Sequence, residues 1–83
     1  MISKKVAVSS TALESREVAK FINRASEFKS QIMLEKGERQ ANAKSLLGVM
    51  SLNAFEGNLI TIKANGADEE EAVSELSKFI ESK

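Results

Sequence analysis

The chain contains no cysteine and no histidine. Without cysteine there can be neither a disulfide nor a thiolate metal site. Without histidine, the commonest general base, the commonest metal ligand and any phosphohistidine are excluded together. Proline is absent as well, and the four glycines fall at Gly37, Gly48, Gly57 and Gly66. No apolar run approaches the roughly 18 residues of a membrane span. The segment from Met1 to Ser10 has no long apolar stretch behind its lysines, so it does not read as a signal peptide. A reducing, cytosolic compartment is the simplest expectation from these absences. Charge of one sign is missing too: twelve Lys and Arg face twelve Asp and Glu. A balanced chain sets up no global field to draw in nucleic acid or an anionic membrane.

What is present fits one soluble globular domain over residues 1–83, with 42% hydrophobic and 29% charged residues. A chain this small can bury a single core, but it cannot enclose a deep catalytic cleft as well. No linker, repeat or low-complexity stretch interrupts it.

Hydrophobic periodicity orders the elements. Ile2, Val6 and Val8 share one parity with Lys5 on the other, which predicts a first strand. Val18, Phe21, Ile22 and Ala25 recur at helical spacing and predict a helix from about Ser15 to Glu27. Glu14, Ser15 and Glu17 at its start suit exposed amides and the positive end of the dipole. Ile32 and Leu34 alternate with Gln31, Met33 and Glu35 in a second strand. Lys36, Gly37 and Glu38 then form a hairpin turn. Arg39 to Asn42 is a short third strand, expected at an edge.

Ser45 to about Leu52 reads as a short helix with Ser45 as its N-cap, followed by a loop over residues 55–58. Ile60, Ile62 and Ala64 alternate with Thr61 and Lys63 in a fourth strand, which Gly66 breaks. Asp68 and Glu71 have capping-box spacing. Ala72, Val73, Leu76, Phe79 and Ile80 line a last helix, with Glu69, Glu70 and Glu71 at its start and Lys78 and Lys83 near its end. The order is β-α-β-β-α-β-α. Strands with one apolar and one polar face predict an α+β, open-faced two-layer sandwich: a four-stranded antiparallel sheet with three helices on one side.

Residues 42–52, running Asn-Ala-Lys-Ser-Leu-Leu-Gly-Val-Met-Ser-Leu, go further than periodicity. They resemble the regulatory-serine segment of HPr, the phosphocarrier family of the bacterial sugar phosphotransferase system. Asn65-Gly66-Ala67-Asp68-Glu69 resembles that family's turn into its last helix, and element order and length match throughout. The family's phosphorylated histidine lies between the first strand and first helix, in a motif reading roughly His-Ala-Arg-Pro-Ala. Here Glu14 takes the histidine position, Arg16 keeps the arginine and Glu17 replaces the proline. The chain is therefore similar to the histidine-less Crh (catabolite repression HPr) relatives, although those carry glutamine there.

The resemblance implies a protein that is bound and serine-phosphorylated and does not carry phosphate. Its partners would be the bifunctional HPr kinase/phosphorylase acting at Ser45 and a catabolite-control transcriptional regulator. Other phosphotransferase-system proteins would come next. Neither a cofactor nor a metal is implied, and no catalysis of its own. The plainer reading of Ser45 is a helix cap; cap and phosphosite are compatible, since a phosphate there meets free amides. Leu46 and Leu47 are adjacent and cannot both point fully inward, so with Met50 they form a candidate docking patch rather than core. One side of the first helix carries Ser15, Arg16, Ala19, Ile22, Asn23 and Ser26. The resemblance makes this side the other half of the partner face; otherwise it is a solvated helix side.

Glu14 has three readings: an inert helix-start acid, a permanent mimic of the phosphorylated state, or an acyl-phosphate acceptor. Lys4, Lys5 and the Glu69–Glu71 run read as solvated ends. Two rival functions remain at this point: a phosphocarrier in sugar transport, and a binding module for an unrelated partner that shares only the fold.

Overall fold

The computed structural model describes residues 1–9, 15–52 and 57–81, with the side chains of Ser15 and Arg16 outside the described set. Seven elements follow the expected order. They are β1 (Ile2–Ala7), α1 (Ser15–Ser26), β2 (Gln31–Lys36), β3 (Arg39–Asn42), α2 (Leu46–Ser51), β4 (Leu59–Asn65) and α3 (Glu69–Glu81). The strands form one antiparallel sheet in the order β1-β4-β2-β3, so β1 and β3 are its edges.

Period-two alternation sets the register. Ile32 and Leu34 of β2 and Ile60, Ile62 and Ala64 of β4 are all buried, while Gln31, Leu59 and Asn65 are exposed. Leu34 stands opposite Ile62, and Ile32 opposite Ala64. Slipping either strand by one residue would turn its whole apolar set to solvent. The helices close over the buried side: Val18, Phe21 and Ala25 from α1, Val49 from α2, and Ala72, Val73, Leu76 and Ile80 from α3 join the strands in one core. Phe79, half-buried, meets the edge of Phe21 at 5.6 Å between ring centroids. The solvent side of the sheet carries the Lys63–Glu35 pair at 2.8 Å.

Lys4 shares parity with Ile2 and Val6 and pairs with Ile62, yet it is exposed. On an edge strand the inner row can end in a charge that reaches water, and such a charge discourages pairing with another chain. Beyond the strand, the Val8 amide donates to the Asn58 carbonyl and the Ser9 amide to the Ile80 carbonyl, both at 2.9 Å. These bonds tie Val8 to the residue just before β4 and Ser9 to the end of α3.

Two expectations change. Ile22, placed on the exposed side of α1, is half-buried and packs against the core. The helix stripe is wider than the partner-face reading allows, so Ile22 contributes to packing first. Asp68 and Glu71 do not act as a capping box. Both oxygens of Asp68 turn to the α1–β2 corner, where they accept from the Lys29 amide at 2.8 Å, the Ser30 amide at 2.9 Å and the Ser30 hydroxyl at 2.5 Å. A reciprocal contact forms two residues earlier: the Gly66 amide donates to Glu69 Oε1 at 3.0 Å, and the Glu69 amide to the Gly66 carbonyl at 3.3 Å. Glycine is required at 66 by close approach, because a Cβ there would lie 2.7 Å from the Cα and Oγ of Ser30.

Candidate functional site

Ser45 sits in extended backbone (φ −109°, ψ 116°) immediately before α2, and its Oγ accepts from the Gly48 amide at 3.2 Å. It is the N-cap, as its sequence position predicts. The segment leading to it is pinned at every residue. The Ala43 amide donates to the Ile32 carbonyl and the Ser45 amide to the Asn42 carbonyl, each at 2.9 Å. The Lys44 amide donates to Asn42 Oδ1 at 2.8 Å, and the Lys44 ammonium to the Phe28 carbonyl at 2.7 Å. Ser45 is half-buried. A hydroxyl held this way is presented by a fixed backbone.

The helix behind it divides sharply. Val49 and the following Leu52 are buried, at 2% and 1% exposure. Leu46, Leu47 and Met50 are exposed, at 46%, 82% and 48%. A two-turn helix has room for one inward ridge, and Val49 with Leu52 fills it. Leu47 is left largely in solvent, while Leu46 and Met50 are about half covered. Nothing in α2 is charged. Its far end is held from the β2–β3 hairpin: Lys36 donates to the Leu52 carbonyl at 3.3 Å and Arg39 to the Ser51 carbonyl at 3.1 Å, as the negative end of a helix favours. Those two cations and Lys44 belong to the site, and sequence reasoning missed them. Their acceptors are carbonyls 12 to 16 residues away, and no local pattern announces such contacts.

Helix α1 lies against α2. Of the side proposed for partners, Ala19, Asn23 and Ser26 are exposed, while Ile22 is half-buried. Ser15 and Arg16 occupy the first two positions of α1, but their side chains lie outside the described residues, as does Glu14 entirely. The structure thus brings Ser45 and the apolar trio together at one short helix, α2, which packs against α1.

Two carboxylates have displaced titrations, both away from this helix. Asp68 is lowered to about 2, chiefly by the Ser30 hydroxyl and the Lys29 amide. Glu69 is lowered, first by the Gly66 amide and then by the amino terminus, whose nitrogen is 3.0 Å from Glu69 Oε2. Among the described residues no cluster of acids could hold a metal ion, and no helix is long and apolar enough to cross a membrane.

The site is thus a helix-capping serine next to exposed apolar side chains on a short helix of an open-faced sandwich. Residues 2–82 match the family model described as PTS HPr component phosphorylation site. HPr-like protein Crh of Halalkalibacterium halodurans is 43% identical over 82 residues, covering 98% of both chains. HPr-like protein Crh of Bacillus subtilis is 39% identical, covering 98% of this chain and 96% of that one. A crystal structure of HPr-C-His from Thermoanaerobacter tengcongensis superposes with a TM-score of 0.93 at 42% identity, covering 99% of this chain and 93% of that one. The chain belongs to the HPr family of the phosphotransferase system.

Proposed function

We propose that this chain is a regulatory interaction protein in the cytoplasm of a bacterium, switched by phosphorylation of Ser45 and acting in carbon catabolite control. The single observation that carries the reading is the pairing of Ser45 with Leu46, Leu47 and Met50 on an uncharged helix, in a chain that has no histidine at all. The names of the Crh relatives support it. The bifunctional HPr kinase/phosphorylase would transfer the γ-phosphoryl group of ATP. A bond forms between Ser45 Oγ and phosphorus, the bond to the bridging oxygen of ADP breaks, and the hydroxyl proton passes to a base on the kinase. The protein itself supplies no cofactor and no catalytic group.

Phosphorylation adds about −1.5 to −2 charge and strong acceptor oxygens. With no acid on α2, the new charge meets no repulsion from its own helix. A catabolite-control transcriptional regulator that reads both signals would place a cation against the phosphate and an apolar pocket over Leu47 and Met50. Ala19 and Ser26 are small and exposed, which lets such a partner approach α1 closely. Of the three readings of Glu14, this function needs only the inert one.

Calorimetry with that regulator tests the proposal. The Ser45-phosphorylated chain should bind, and the unmodified chain should bind at least tenfold more weakly, a difference of about 1.4 kcal/mol. Equal affinities would sink it. The carrier role is separated by a second assay: phosphoenolpyruvate and the first enzyme of the system should leave the chain unlabelled, because phosphoryl transfer through a histidine nitrogen has no acceptor here.

A further inference from the structure

Lys44 is held in a way that its neighbour can change. Its ammonium donates to the carbonyl of Phe28, in the corner between α1 and β2. The side chain is half-buried and lines a cleft of about 340 Å³ that also carries Lys29, Ser30 and Asn42. The corner has a second tether, because Asp68 takes the amides of Lys29 and Ser30 and the Ser30 hydroxyl. The two tethers differ in kind. Asp68 makes three bonds as an anion. Lys44 makes one, to a neutral carbonyl.

A phosphate on Ser45 would bring a dianionic acceptor within one residue of that ammonium. An ammonium on a flexible stem favours a phosphate oxygen over a neutral carbonyl, and charge-assisted bonds are roughly twice as strong as neutral ones. We infer that Lys44 is the counter-ion of phosphorylated Ser45, and that phosphorylation moves its ammonium from the Phe28 carbonyl to the phosphate. The inference rests on the phosphorylation proposed above. Its effect is local: the α1–β2 corner gives up one tether while Asp68 keeps the other. The phosphate gains a fixed cation from its own chain. Among the described residues of α2 and the cleft, competing charges are few. Helix α2 has none, Lys36 and Arg39 are engaged at its far end, and Lys29 is the other cation lining the cleft.

The test uses the full chain with phosphoserine installed at position 45 during translation, so that no kinase is needed. Phosphorus NMR reads the second ionisation of the phosphate. It should fall about half a unit or more lower in the wild-type chain than in Lys44→Gln, roughly a threefold change in the acid constant. Lys44→Met, which keeps the stem and drops the charge, should match Lys44→Gln. The carbon resonance of the Phe28 carbonyl should move when the wild type is phosphorylated and stay put when either variant is. Equal phosphate titrations in wild type and both variants would overturn the inference, as would a titration that responds to Lys29→Gln and not to Lys44. A kinase that ignores Ser45, with the installed phosphate still reading Lys44, would sink the proposed function and leave this inference standing.

Discussion

Gly48 is crowded by Ser45: a Cβ at 48 would lie 3.3 Å from the serine Oγ, the same atom that accepts the Gly48 amide. The glycine sits in the first turn of a helix, where alanine is better by up to about 1 kcal/mol. The gain is offset by crowding of the hydroxyl. Gly48→Ala is therefore expected to shift stability by less than about 1 kcal/mol in either direction. Its phosphorylation by the HPr kinase should slow severalfold, because the methyl group presses on the atom that must attack. A melt together with initial rates checks both halves. An unchanged rate would mean that the Oγ is reached from a side Gly48 does not guard.

Leu47 tests the patch. At 82% exposure it contributes little to folding, so Leu47→Glu should change stability by under roughly 0.5 kcal/mol. A buried leucine cut short would cost about 2–5 kcal/mol. Binding of the phosphorylated chain to the regulator should weaken by about 1 kcal/mol or more, some fivefold, since the substitution removes an apolar anchor and sets a like charge near the phosphate. A thermal melt and calorimetry read the two effects separately. An intact melt with unchanged affinity would move the interface elsewhere.

Asp68 should make the fold acid-sensitive over a defined range. Its carboxyl is lowered from 3.8 to about 2 in the folded chain. A lowered folded value stabilises above the unfolded one, and that contribution is lost as pH falls from about 4 to about 2. Asp68→Asn keeps the shape but loses the ionised acceptor. Thermal melts of the two chains should differ most above about pH 5 and converge toward about pH 2. A gap that stays constant with pH would show that the bonds to Lys29 and Ser30 do not depend on ionisation.

Much of this was legible in the sequence, for reasons that can be named. The alternation of Ile32 and Leu34 and of Ile60, Ile62 and Ala64 fixes faces and register because one side must be buried. Ser45 ahead of an apolar run marks a cap, and adjacent Leu46 and Leu47 cannot share one ridge; both leucines are exposed. What was not legible depends on contacts distant in sequence. Asp68 has local capping-box spacing, yet its partners lie 38 and 39 residues away, and they win because they offer three donors at once. Ile22 fits both the core stripe and the outer side of α1, and only the packing of the neighbouring elements decides between them. The cations at Lys36, Arg39 and Lys44 carry no periodic signal, because their acceptors are backbone carbonyls.

Whether this chain is switched at serine is tested most directly by incubating it with HPr kinase/phosphorylase and ATP, then weighing the intact chain and its peptides by mass spectrometry. One phosphoryl group should be added, on Ser45. Ser51, whose hydroxyl is engaged by the Gly48 carbonyl at 2.8 Å, should remain unmodified. Ser45→Ala should take no label while staying folded, at a cost of about 1 kcal/mol for the lost cap. Labelling at Ser51, or labelling of Ser45→Ala at the wild-type rate, would contradict the account.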